Sequence, residues 1–172
     1  MDSLPAIDLG LMAEHLTAHE GVINKLSYYQ SLVSNTELRN ILKLQENVMH
    51  SHVWVMLAFI NPNYHNNVEV PPLSVYREEH IFERPEKGEN NKWIALEAHS
   101  TAKNMSVENY NSAMMMQNEN VKNAHIKMAL QQNRIGEKYT HFIKMMGWSY
   151  APKATTQAQI NTFLHFDHLL KQ

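Results

Sequence analysis

Apolar residues recur at steps of three and four through Leu9, Met12, Leu16, Ile23, Leu26 and Val33, and again through Leu38, Leu42, Met49, Val53, Met56 and Ile60. That spacing lines one face of an α-helix. A second pair of stripes follows, through Ala98, Ala102, Met105, Ala113 and Met116, then Val121, Ala124, Met128, Ile135, Phe142 and Met146. The pattern predicts an all-α chain of four long helices in one domain. One helical hairpin covers 8–60, a crossover 61–92, a second hairpin 93–147 and a C-terminal extension 148–172. Because the crossover is long, helices 2 and 3 are expected to run parallel, with the connector along the bundle's flank.

Stop and start residues set the boundaries. Ser34, Asn35 and Thr36 are suited to cap helix 2, with Glu37 favourable in its first turn, and Asn118 with Glu119 does the same for helix 4. The two starts read alike, Asn35-Thr36-Glu37-Leu38-Arg39-Asn40 against Asn118-Glu119-Asn120-Val121-Lys122-Asn123, which suggests a degenerate duplication of a hairpin. Between the hairpins Pro62, Pro71, Pro72, Pro85 and Gly88 forbid a continuous helix. Val68 to Phe82 is too rich in β-branched and aromatic residues for a disordered linker. Thr155 to Gln172 reads as a short fifth helix whose Ile160, Phe163, Leu164, Phe166 and Leu170 should dock on the bundle or on a second subunit.

Composition narrows the chemistry. With 172 residues and 44% hydrophobic content the chain can bury a core unaided. The absence of cysteine excludes disulfides, thiolate metal sites and thiol nucleophiles. A net charge of -2 and scattered Lys and Arg give no basic field for nucleic acid. Met1 to Leu11 has no Lys or Arg and is broken by Pro5 and Gly10, unlike a secretory signal, so synthesis in the cytoplasm is expected. No apolar run approaches the roughly 20 residues of a membrane span.

At the end of helix 4 stands Gly147-Trp148-Ser149-Tyr150-Ala151-Pro152, preceded by an aromatic and two methionines. Gly147 is suited to a left-handed cap, with Trp148 and Tyr150 folding back on the last turn. The signature Gly147, Trp148, Tyr150 and Pro152 resembles that of the bacterial spore coat protein F family, most strongly over 95–152, and the wiring resembles a ferritin-like four-helix bundle. The resemblance implies a structural spore coat or spore-associated protein, made in the mother cell of a Bacillus-type spore former. Its partners would be other coat proteins or itself. It carries over no catalytic residue and no cofactor.

An enzyme reading rests on metal ligands. Di-iron ferritin-like proteins use Glu-x-x-His pairs, and this chain has none. Its nearest approaches are Glu46 with His50 and Glu137 with His141 at i,i+4, with Glu20 level across the first hairpin, and Glu97 and His99 near the second pair. Glu20, Glu46, His50, Glu137 and His141 are the candidate ligands of a divergent metal-binding or oxidoreductase protein. A small-molecule site in a polar core is a third reading. His19, His52, Asn109, His125 and Gln131 fall on the apolar stripes themselves; one reading is a vestigial or divergent metal or proton site in the core, and the stronger expectation is that they pair with one another or with water and fix register. The runs Met114-Met115-Met116 and Met145-Met146 each turn part of their methionines outward.

Overall fold

The computed structural model describes residues 3–76 and 88–171. Among these every regular element is helical: α1 (Ala6–Leu32), α2 (Thr36–Ile60), α3 (Asn91–Met115), α4 (Glu119–Met145) and α5 (Thr156–Phe166), with short 3-10 turns at Leu73–Val75 and Asp167–Lys171. The caps fall where the sequence puts them. Asn35 accepts from the N–H of Leu38, and Asn118 from those of Asn120 and Val121, so both helices start on a side-chain acceptor. Gly147 has φ 71°, and the N–H of Trp148 reaches back to the Ile143 carbonyl at 3.0 Å, ending α4 in a six-to-one turn.

Cross-helix bonds fix the directions. His15 pairs with Ser112 and Lys25 with Glu97, so α1 and α3 are antiparallel. Gln45 meets Tyr139 and His52 meets Gln131, so α2 and α4 are antiparallel too. Since each hairpin is itself antiparallel, α2 runs parallel to α3, as the long crossover requires. The crossover climbs the flank: Val68 and Val70 pack with Met12, Met56 and Val121, whereas Leu73 and Tyr76 pack with the core at the other end. Phe82 and Pro85 lie outside the described residues. The tightest pair is α3 with α4, where Ala98 and Ala102 leave room for close approach and the Ser106 hydroxyl donates to the Ala129 carbonyl at 2.8 Å.

A pseudo-twofold relation appears at the two ends. The carboxylate of Asp8, in the first turn of α1, accepts from the N–H groups of Gln117 and Asn118 at 2.9 and 2.8 Å. The amide oxygen of Asn91, at the start of α3, accepts from those of Ser34 and Asn35 at 3.1 and 3.5 Å. The same shift of 83 positions carries Asp8 onto Asn91 and Asn35 onto Asn118. Each hairpin thus uses one polar residue at its start to hold the turn of the other.

Two expectations are corrected. The α1 stripe is rotated by about one residue: Asp8, Met12, His15, His19, Leu26 and Tyr29 are buried, whereas Leu9 is 45% exposed. Polar residues occupy core positions on α1, so the apolar pattern alone misplaces its face. The C-terminal helix forms but does not dock on its own bundle among the described residues, which leaves the second-subunit alternative standing. Residues 149–166 are all exposed, including Ile160, Phe163, Leu164 and Phe166.

Candidate functional site in a buried histidine layer

The apolar interior is divided. One core gathers Leu26, Leu38, Leu42, Ile94, Ala98, Ile135 and Phe142 near the α1–α2 turn, and the other Met12, Val55, Met56, Met116, Val121 and Met128 near the α3–α4 turn. Between them, in register, lie His15 and His19 of α1, His52 of α2, Asn109 and Ser112 of α3, and His125, Gln131 and Gln132 of α4, all buried. The ring centroids of His15 and His125 are 5.2 Å apart, those of His19 and His52 5.8 Å, and those of His15 and His19 6.2 Å. Four imidazoles share one layer.

Hydrogen bonds settle which nitrogen carries the proton on three of them. His19 Nδ1 lies 2.7 Å from the His15 carbonyl and His125 Nδ1 3.0 Å from the Val121 carbonyl. A carbonyl only accepts, so both rings are protonated at Nδ1 and present a bare lone pair at Nε2. For His52 the argument runs through Gln131, whose Nε2 donates to the Pro71 carbonyl at 2.6 Å and whose Oε1 therefore faces His52. His52 donates from Nε2, and its Nδ1 is the lone pair. His15 Nε2 meets the Ser112 hydroxyl at 2.8 Å, which serves either direction. The second ring nitrogen of each of these four histidines, and Oδ1 of Asn109, is buried with no hydrogen-bond partner among the described residues.

Burial holds all four rings neutral. It depresses His15 to about 4, helped by repulsion from His125, and His19 to about 3, with His52 adding repulsion. His52 falls to about 4 by burial, against the opposing bond to Gln131. His125 is lowered by burial, partly offset by its bond to the Val121 carbonyl and by the nearby Asp8 carboxylate. A second polar row runs beside the histidines: Tyr139 donates to Gln45, Gln45 to Gln132, and Gln132 to the Met49 sulfur. Burial raises the Tyr139 hydroxyl well above its ordinary range, so that row is also uncharged.

The carboxylate and histidine candidates sit elsewhere. Glu20, His50, Glu137 and His141 are exposed and Glu46 is half-buried. Glu46 accepts from Gln30 at 2.6 Å, and Glu137 from Asn133 at 3.2 Å. Glu97 pairs with Lys25 at 2.9 Å, and His99 with Thr140 at 3.0 Å. Among the described residues no three His, Asp or Glu side chains stand as a formed metal site. His19, His52, Asn109, His125 and Gln131 occupy the interior as their stripe positions imply. His15, Ser112 and Asp8 were missed, although His15 stands four residues before His19 and would share its face.

The signature at the end of α4 divides. Trp148 is half-buried and meets Phe142 edge to face at 5.9 Å. Tyr150 does not fold back: it is 90% exposed, because the chain leaves the bundle directly after the cap. No helix among the described residues is long and apolar enough to cross a membrane. Comparison of the chain with protein-family models, with curated proteins and with solved structures finds no match.

Proposed function

We propose that this chain is a ferritin-like four-helix protein with a structural role, a spore coat or spore-associated protein of the coat F kind that works through self-association. The observation that carries the proposal is α5. Its Ile160, Phe163 and Leu164 form an apolar face on a helix with no Asp, Glu, Lys or Arg, and among the described residues that face meets no part of its own bundle. Leaving so much apolar surface in water is costly, and such patches mark contact sites.

The occupant we assign is a second copy of the chain. On the outer side of α3, Val107, Tyr110 and Met114 recur at helical spacing and are 57%, 51% and 59% exposed. Eleven residues of α5 make a helix of about 16 Å, enough to cover a stripe spanning two turns. An α5 reaching a neighbour's α3 buries both patches and links copies into an assembly. The resemblance of Gly147, Trp148, Tyr150 and Pro152 to the coat F signature suggests the spore coat setting.

Light scattering across a concentration series tests the reading. The intact chain should associate, and Phe163→Glu with Leu164→Glu, or Met114→Glu alone, should return it to monomer. A monomeric intact chain overturns it. Immunoblotting of coat extracts from purified spores tests the setting, and its failure alone would leave an associating protein outside the coat.

A further inference from the structure

We propose that His15, His19, His52 and His125 form a binding site for one divalent transition-metal ion, a site distinct from the carboxylate and histidine positions on the outer faces and independent of the self-association of α5. Three lines on the molecule lead there.

The first is chemical. His19, His52 and His125 are fully buried, and each spends its only N–H on a carbonyl or amide oxygen. Each is left with a bare lone pair. Three inward-facing lone pairs, on His19, His52 and His125, call for a cation or a donor between them. An N–H held by a backbone carbonyl or amide, with the opposite nitrogen free, is also how a metal-ligating histidine is oriented. The oxygen partners of His19, His52 and His125 would then be the outer shell.

The second is geometric. A metal about 2.1 Å from an imidazole nitrogen lies about 3.2 Å from the ring centroid, so two tetrahedral imidazole ligands have centroids about 5.2 Å apart. The centroid distances along the chain His125, His15, His19, His52, which are three of the six pairs, are 5.2, 6.2 and 5.8 Å and lie within about an ångström of that value. The four rings do not converge on a common point as they stand, so metal binding requires small ring rotations that keep the N–H bonds of His19, His52 and His125. Neutral imidazoles suit zinc, copper, nickel or cobalt rather than calcium or magnesium. The charged group facing the layer is Asp8 of α1, which lies close enough to His125 to favour a positive charge there. Serine and amides from α3 and α4 complete its polar wall.

The third is the pseudo-symmetry. The shift of 83 positions that relates Asp8 to Asn91 places Ala98, Ala102 and Ile135 where the other half has His15, His19 and His52, and Leu42 where it has His125. All four counterparts are fully buried in the apolar core. The same backbone positions are therefore filled without polar groups in one half of the molecule. Packing alone does not call for four histidines in the other.

The test is titration of the untagged full chain with Co²⁺, followed by its visible spectrum, and with Zn²⁺ by calorimetry and thermal unfolding. One equivalent should bind and raise the unfolding temperature. Copying the apolar half, with His15→Ala, His19→Ala, His52→Ile and His125→Leu, should leave a folded protein that no longer binds. His125→Gln, checked for helicity, should weaken binding by more than about 100-fold, because even outer-shell partners are worth roughly 10–100-fold. His50→Gln with His141→Gln should bind like the parent. The proposal is overturned if the folded parent binds neither ion, or if binding survives in the folded core variants.

Discussion

His52 donates its Nε2 proton to Gln131 at 2.8 Å, and Gln131 passes the chain on to the Pro71 carbonyl at 2.6 Å. One amide thereby joins α2, α4 and the crossover at the level of the histidine layer. A proline carbonyl inside a non-helical connector has no ladder partner, and Gln131 supplies it.

Replacing Gln131 with Ala orphans both neighbours at once. With a buried donor or acceptor left unmade costing about 1–3 kcal/mol, the variant should lose roughly 2–4 kcal/mol in urea unfolding. A loss below about 0.5 kcal/mol would show that the crossover is held by Val68 and Val70 alone.

Acid should unfold the protein through its core. The unfolded chain protonates these imidazoles near pH 6.5, whereas the folded chain keeps His15 and His52 neutral to about 4 and His19 to about 3. Because the unfolded state binds the extra protons, stability is full above about pH 6.5. It falls towards pH 4 by roughly 1.4 kcal/mol per histidine per pH unit. Urea midpoints measured from pH 7.5 to 4.5 check the slope. The variant carrying the apolar counterparts of all four histidines should lose most of the dependence.

Asp8 and Asn91 perform the same task at opposite ends, with unequal strength. Asp8 offers a charged acceptor to two N–H groups beside the start of α4, where the helix dipole favours a negative charge. Asp8→Ala should cost about 3 kcal/mol, and Asn91→Ala about 1–2 kcal/mol. Equal losses in chemical denaturation would contradict the assignment.

At the α4 cap, Trp148→Ala removes a half-buried ring from Phe142 and should cost about 2 kcal/mol, below the 3–5 of a fully buried aromatic. Tyr150→Ala should be within about 0.5 kcal/mol of the parent, since its ring is in solvent. Thermal unfolding of the two variants distinguishes them.

The helices, their caps and the parallel arrangement of α2 and α3 were legible because periodicity, Asn35, Asn118, Gly147 and the prolines each act locally. The face of α1 was not, because Asp8, His15 and His19 take core positions that a hydrophobic pattern assigns to neighbours such as Leu9. His19, His52 and His125 were visible as intrusions on apolar stripes. Their gathering into one layer with His15 depends on helix register across three chain segments, which spacing along any one helix does not contain. Likewise, i,i+4 spacing made Glu46 with His50 and Glu137 with His141 look like ligand pairs, and says nothing of which face turns inward.

Whether the layer is neutral and ordered as described is answered by ¹⁵N-resolved imidazole NMR of the full chain between pH 7.5 and 4.5. Of the 11 histidines, His15, His19 and His52 should hold neutral signatures to about pH 5 and His125 should titrate below the ordinary imidazole range, with the proton on Nδ1 in His19 and His125 and on Nε2 in His52. Titration of these rings near pH 6.5, with both tautomers averaged, would contradict the account.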